Sequence, residues 1–401
     1  MAHAFIPYGI YWSTPFAKWQ GTLAHLHSLK LAANVGRQAL AAKKFPLEAI
    51  DYAVLGMTNP QPSSFYGLPW VTGMMGIDRV TGPTVQQACA TSARALQMAT
   101  QELADGSANC ALVITADRMS NGAVIYYPDG TAPGGRGITE SWTLDNFGRD
   151  PYAGNAMLDT AENVARAHGF TMEQQHGVAL QRYAQYQDAL ADDRAFQRRY
   201  MVDVALTDAA FRKQTGTFSA DDGIVTTTAE GLARLKPVKP DGTVTFGGQT
   251  HPADGNAGMI VTTRARAREF ALDPKIEVEL LGFGNARVEK GYMPAATVPA
   301  ARMALKNAGL EMKDVVAVKS HNPFAANDLV FAKETGFPLE KMNNYGCSLI
   351  WGHPQGPTGL RSTIELIEEL ALRGGGIGLF TGCAAGDSGM ALVLRVGDTK
   401  G

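Results

Sequence analysis

The sequence predicts an α/β protein built from two duplicated mixed-sheet halves with a loop domain inserted between them. Three observations carry this: two pairs of similar segments at nearly one offset, apolar strand-like runs without alternation, and a long stretch that interrupts the pattern. The first pair is "AANVGRQALAAKKFPLEAIDYAVLGMTNP", from Ala32, and "PAARMALKNAGLEMKDVVAVKSHNP", from Pro299. Each reads as helix, acidic turn, apolar strand and Asn-Pro, and Asn59 and Asn322 are 263 positions apart. The second pair is "ACATSARALQMATQELADGSANCALVITA" and "GHPQGPTGLRSTIELIEELALRGGGIGLFTG". Each sets a reactive side chain at a turn, then a helix, a Gly-bearing turn and an apolar strand, with Cys89 and His353 264 positions apart. Two alignments at one offset argue for two copies of one unit packed as a pseudo-symmetric pair.

The runs "AVLGM", "ALVITA", "VVAVK" and "IGLFTG" are continuously apolar, as strands covered by helices on both faces require. Between the copies, "YYPDGTAPGGRGITES" and the helical "TAENVARAHGFTMEQQHGVALQRYAQYQDALADD" interrupt the pattern. This stretch is too long for a simple connection and carries its own helices, so it reads as a lid or binding subdomain over the junction. "DGTVTFGGQTHPADGNAGMIVTT" then returns to the first sheet. The expected organisation is an N-terminal half from 1–117 plus 241–268, an inserted loop or lid domain at 118–240, and a C-terminal half at 269–401.

Composition narrows the function. A chain of 401 residues, 45% hydrophobic and 18% charged, can bury a large core. Its net charge of −2, from 36 basic and 38 acidic residues, gives no electrostatic case for nucleic acid or an anionic membrane. No segment is apolar for the length a membrane helix needs, and the first residues lack the pattern of a secretory signal, so a cytoplasmic protein is expected. The four cysteines, Cys89, Cys110, Cys347 and Cys383, are too sparse for a disulfide scaffold and fit a reducing compartment in which thiols serve as thiols. No zinc-like spacing of Cys and His points to a resident metal.

Four segments carry chemistry. Cys89, in "VQQACATSARA", stands at the mouth of a predicted helix, where unpaired N–H groups and the helix dipole favour a thiolate. "SHNPFAAND" puts His321 after a strand, "GHPQGPTG" puts His353 before a helix, and "TGCAAGDSG" puts Cys383 at a strand end. Under the duplication these fall at equivalent loop ends, which in a paired α/β fold converge on a crevice outside the sheets. A thiol, two imidazoles and a second thiol suit nucleophilic acyl chemistry: one thiolate attacks a carbonyl, imidazoles activate it or hold an oxyanion, and the other thiol moves a proton.

Over essentially its full length the chain resembles the thiolase family. The resemblance is carried by "CATSARA", "HNPFAA", "GHPQGPTG" and "CAAGDSG", and supported by "TAENVA", "TTTAEGLARLKP" and "DGTVTFGG" leading to "DGNAGM". It implies the thiolase fold, layered αβαβα with a mixed five-stranded sheet in each half, in a homodimer or tetramer. It implies an acyltransferase of the 3-oxoacyl-CoA thiolase type, as in acetyl-CoA C-acyltransferases of beta-oxidation. Coenzyme A would be the co-substrate, with no bound cofactor and no metal. By the same resemblance Cys89 is the acyl-accepting nucleophile, His353 activates it, and Cys383 is the acid/base. His321 stands where many thiolases have Asn, and backbone N–H groups of Cys89 and Ala385 serve an oxyanion.

Departures from the common pattern point to an atypical member acting on a bulky or aromatic acyl group, in the manner of the thiolase subunit of benzoylsuccinyl-CoA thiolase, which functions in aromatic compound degradation. Ala385 replaces a glycine. Ala156 stands where many thiolases place a CoA-contacting His, and "DDGIVTTT" offers no Arg to the nucleotide. Thr250 is the residue expected to contact pantetheine, and Tyr345 and Trp351, flanking the His353 turn, suggest an altered acyl pocket. Some atypical thiolases work with a small zinc-ribbon and OB-fold partner subunit. Two competing readings are a ketoacyl-synthase-like condensing enzyme, against which Cys383 argues, and a catalytically silent acyl-CoA-binding or scaffold subunit.

Overall fold

A computed structural model describes residues 4–398; residues 1–3 and 399–401, the outer ends of the two expected halves, lie outside them. Each run singled out as a strand is one. Tyr52–Gly56 pairs in parallel with Cys110–Arg118, which pairs antiparallel with Ala253–Thr262. In the second half Val315–His321 pairs in parallel with Gly376–Ala384, which pairs antiparallel with Ser388–Asp398. The same parallel-then-antiparallel order recurs, as two copies of one unit require. The segment after the insertion does return to the first sheet: Ala253–Thr262 registers Gly258 against Ile114.

The lack of alternation has the expected cause. In Cys110–Arg118, Val113 faces a core shared with Leu96 and Ala99 of helix Thr91–Ala104, while Leu112 faces a second core with Leu29 and Leu40 of helix Ser28–Ala42. In the second half Phe380 packs inward with Leu360 and Ile364, and Leu379 packs outward against Val298 and Leu305 of helix Thr297–Ala308. Helix Gln355–Leu372 is buried at every position from Gln355 to Leu370, because it lies between the two halves rather than on a surface. The layering is therefore outer helix, strands, inner helices, strands, outer helix.

The strands differ from the expected pair of five-stranded sheets in one respect. Ala4–Pro7 pairs antiparallel with Ile276–Arg287 and also meets Ala253–Thr262 through Phe5 and Thr262. It thereby joins the halves into one hydrogen-bonded sheet of eleven strands.

The insertion is anchored, not loose. Its helices Met157–His168 and Met172–Arg194 pack on the C-terminal half. The fully buried Arg182 donates to Asp328 at 2.8 Å and to the Met342 carbonyl at 2.9 Å. Further along, Asp221 receives both guanidinium N–H groups of buried Arg361 at 2.6 and 2.8 Å. Removing one partner of such a pair leaves an uncompensated buried charge, at a cost of about 3–5 kcal/mol. Among the described residues no helix is long and apolar enough to cross a membrane.

Candidate active site

Helices Thr91–Ala104 and Gln355–Leu372 cross with Gly359 against Ser92: a Cβ added at Gly359 would lie 2.9 Å from the Ser92 Cβ. Ser92 also donates its hydroxyl to the Gly356 carbonyl. This close crossing brings together the N-terminal ends of both helices, and with them Cys89 and His353. Cys89 follows Ala88, whose φ of 43° turns the chain sharply into the helix. The thiol of Cys89 is 3.1 Å from Nε2 of His353.

The hydrogen bonds around His353 fix its tautomer. Its Nδ1 is 2.7 Å from the Thr358 hydroxyl, which donates to the Pro354 carbonyl at 2.7 Å. With that hydrogen committed, Nδ1 carries the ring proton and Nε2 presents a lone pair to the Cys89 thiol. The loop itself is held by Asp117, whose buried carboxylate accepts from the Gly356 N–H at 2.6 Å and from the Thr58 N–H and hydroxyl, each at 2.8 Å. Burial pushes this carboxyl up to about 6.

His321 ends its strand and is completely buried, its ring stacked on that of His353 with centroids 3.9 Å apart. Its Nδ1 is 2.9 Å from the Ser348 hydroxyl, and its Nε2 is buried without a partner. Cys383 is buried near the end of its strand, and its sulfur accepts from the Asn327 amide at 3.2 Å. The Ala385 N–H is directed at the Cys89 sulfur. Cys89, His353, Ala385 and Thr250 all border one cavity of about 670 Å³. Thr250 donates its hydroxyl to the Ser348 carbonyl.

Electrostatics revise the reading of Cys89. Helix-end N–H groups favour its thiolate, but burial outweighs them and pushes the thiol up to about 12. Burial, foremost, also holds His353 well below the usual imidazole range and lowers His321 to about 3. At neutral pH the resting pair is thus thiol and neutral imidazole. Cys383 is pushed up by burial and then by the neighbouring Cys89.

Two aromatic residues stand elsewhere than the altered-pocket reading put them. Tyr345 stacks on Phe196 at 3.9 Å, and Trp351 packs edge-on to Phe16 with the Arg361 guanidinium over its ring. Both are core packing, and neither borders the cavity. Its apolar wall comes instead from Phe147, Met157, Leu158, Phe246, Met293 and Phe324. Phe147, Met157 and Leu158 lie in the insertion outside every quoted motif, while Phe246 lies in "DGTVTFGG" without having been singled out. Thr358, in "GHPQGPTG", was within the quoted motif, but its role as the partner of Nδ1 needs the helix geometry.

Comparison with known proteins gives matches over nearly the whole chain. The family model "Thiolase, N-terminal domain" matches residues 12–265, and "Thiolase, C-terminal domain" matches residues 274–396. The acetyl-CoA acetyltransferase of Escherichia coli K12 is 28% identical, the match covering 95% of this chain and 96% of that one. A 3-ketoacyl-CoA thiolase of Cronobacter sakazakii is 31% identical over 95% of this chain and 94% of its own length. The crystal structure of human mitochondrial 3-ketoacyl-CoA thiolase superposes with a TM-score of 0.89 at 26% identity, covering 99% of both chains. The same human enzyme has been solved in complex with CoA, again with a TM-score of 0.89 at 26% identity over 98% of both chains.

Proposed function

This chain belongs to the thiolase family, and from that premise we propose that it catalyses reversible, CoA-dependent thiolytic cleavage of a 3-oxoacyl-CoA through an acyl-enzyme on Cys89. The observation that carries the reading is the 3.1 Å contact between the Cys89 sulfur and His353 Nε2 at the border of the 670 Å³ cavity. As the sulfur approaches the 3-oxo carbon, its proton passes to His353 Nε2. The sulfur–carbon bond forms, the bond between C2 and C3 breaks, and Cys383 gives its proton to the departing carbanion. In the second half-reaction the thiol of a fresh CoA attacks the acyl-enzyme, its proton going to Cys383; the bond between the Cys89 sulfur and the acyl carbon breaks, Cys89 takes its proton back from His353, and the shortened acyl-CoA leaves.

Developing negative charge needs donors. The N–H groups of Cys89 and Ala385 serve the oxygen on the carbon bonded to sulfur, and His321 Nε2 with His353 serves the enolate oxygen of the departing thioester; each donor is worth ~10²–10³ in rate. Thr250 lies where the pantetheine arm passes. The cavity's apolar wall, Phe147, Phe246 and Phe324 among it, favours a bulky or aromatic acyl group over a two-carbon one.

The reading includes a cytosolic homo-oligomer. All four cysteines are free, and Phe65 and Tyr66 stand 95% and 71% exposed on the monomer surface. Intact-mass spectrometry after incubation with a panel of acyl-CoAs tests the central step. The expected result is one acyl group on Cys89, largest in yield with bulky chains. An unmodified chain with every donor would overturn the proposal.

A further inference from the structure

Three donor atoms converge where Cys89 and His353 border the cavity and His321 is buried behind them. One atom each from Cys89, His321 and His353 lie within 4.8 Å of one another. The two histidines are oriented alike: each holds its Nδ1 against a hydroxyl, Ser348 at 2.9 Å and Thr358 at 2.7 Å, leaving both Nε2 atoms for the site. That is the arrangement by which metal-ligating histidines are usually fixed. His321 Nε2 is also fully buried and unpartnered, a condition that costs free energy until something binds it.

We propose that Cys89, His321 and His353 bind a soft divalent cation of the zinc class, which caps the thiol and holds the protein inactive until the metal is withdrawn. Tetrahedral zinc with bonds of about 2.0–2.3 Å sets its ligand atoms roughly 3.3–3.7 Å apart. The Cys89–His353 pair, at 3.1 Å, opens by about half an ångström to reach that spacing, the third donor closes by about one, and the two rings, stacked at 3.9 Å and 26° apart, tilt out of their stack so that both Nε2 lone pairs meet the metal. On binding, the Cys89 sulfur gives its electron pair to the metal and its proton to solvent; nothing is oxidised or reduced. One thiolate and two neutral imidazoles leave the fourth position to water or to a thiol entering from the cavity.

His321 serves both this site and the enolate through its two tautomers. The Ser348 hydroxyl lies 2.9 Å from His321 Nδ1 and 3.1 Å from Asn322 Oδ1. Donating to Nδ1, it leaves Nε2 with the proton a thioester oxygen needs. Donating to Asn322, it leaves Nε2 with the lone pair a metal needs. Conversion turns this hydroxyl and exchanges the ring proton with solvent, lost from Nε2 and regained at Nδ1. A chain with Asn at 321 supplies only two ligands and lacks the site.

The test is titration of the whole protein with cobalt(II) chloride, without oxygen and without acyl-CoA, so that its outcome does not depend on thiolysis. One cobalt per chain is expected, with the near-ultraviolet absorption of a thiolate–cobalt bond. That band should vanish in Cys89→Ser, persist in Cys110→Ala, and require at least ~10-fold more cobalt in His321→Asn. Zinc chloride should displace the cobalt and protect Cys89 from iodoacetamide. His321→Gln carries the same comparison should His321→Asn fail to fold. A band that survives in Cys89→Ser, or parental cobalt affinity in a folded His321 variant, overturns the proposal.

Discussion

The Cys89 sulfur and His353 Nε2 meet at 3.1 Å although they are 264 positions apart and come from opposite halves of the duplication. Their contact depends on the crossing of two helices at Ser92 and Gly359, so the nucleophile and its base are assembled by the interface between the halves. The base is further set by Thr358, and that dependence can be measured.

Thr358→Val removes the hydroxyl that holds the His353 Nδ1 proton. The ring can then adopt the other tautomer, with Nε2 protonated and unable to accept from Cys89. Turnover is expected to fall ~10²-fold or more, as when a base loses its orienting partner, and iodoacetamide labelling of Cys89 should slow in parallel. Thr358→Ser restores the hydroxyl and should restore most of the rate. Unchanged kinetics in the Val variant would mean that the tautomer is set by something else.

The pH dependence follows from the resting neutral pair. His353 lies well below the usual imidazole range, so it stays an unprotonated base as pH falls through 6.5, and activity is lost only on further acidification. The acid limb of kcat/KM should therefore have its midpoint below 6.5. Cys89 is pushed up to about 12, so its alkylation rate should still be rising at pH 9, where a low-pKa thiolate would have levelled off. It should nevertheless label before the other three thiols, which are all buried while Cys89 is partly exposed. Peptide mapping after limiting iodoacetamide and a pH series of the same reaction check both points; first labelling of Cys110 or Cys347 would remove Cys89 from the nucleophile's role.

Cys383→Ser should separate the two halves of the chemistry. Acylation of Cys89 by a simple acyl-CoA expels a thiolate and needs no proton on carbon, so intact-mass spectra should still show the adduct. Cleavage of a 3-oxoacyl-CoA does need that proton, and a serine hydroxyl beside Asn327 is a far weaker acid than a thiol. Turnover should drop below detection while acylation remains. Equal loss of both would make Cys383 a structural residue.

Much of this was legible in the chain because the fold repeats itself. The Asn-Pro pair and the helix-strand pattern located both halves, and turn-plus-helix signals located Cys89 and His353. The repeat also shows where sequence reading stops. Asn59 and Asn322 occupy equivalent positions, yet Asn59 donates to the Arg118 carbonyl while Asn322 donates to Asp328 and accepts from Leu349, beside the reactive cluster. Nothing local distinguishes them. The cavity wall was equally hidden, since Phe147, Met157 and Phe246 are brought together only by how the insertion folds back over the junction. Tyr345 and Trp351, close to His353 in sequence, turn into the core at positive-φ positions, Tyr345 and Gly352, that redirect the chain.

His321 distinguishes a catalytic from a supporting role most sharply. Its Nε2 is buried and unpartnered beside His353, so as an N–H donor it can bind the enolate oxygen directly. It makes no contact with the Cys89 proton, which passes to His353. His321→Ala should accordingly slow cleavage by ~10²-fold or more while changing the alkylation rate of Cys89 much less than His353→Ala does. Stability gives an independent sign. Burial lowers His321 to about 3, so the unfolded chain, with its histidine near 6.5, binds the extra proton as pH falls, and this residue's contribution to stability is lost between about pH 6.5 and 3. At pH 5 that amounts to about 2 kcal/mol, at roughly 1.4 kcal/mol per unit. The parent should therefore lose thermal stability on acidification faster than His321→Ala, whatever the variant's midpoint at pH 8. If His321 served only to pack the loop beside Phe324, its loss would lower the melting midpoint and slow alkylation and cleavage by the same factor. Parallel melts, iodoacetamide kinetics and turnover of the two variants separate these outcomes.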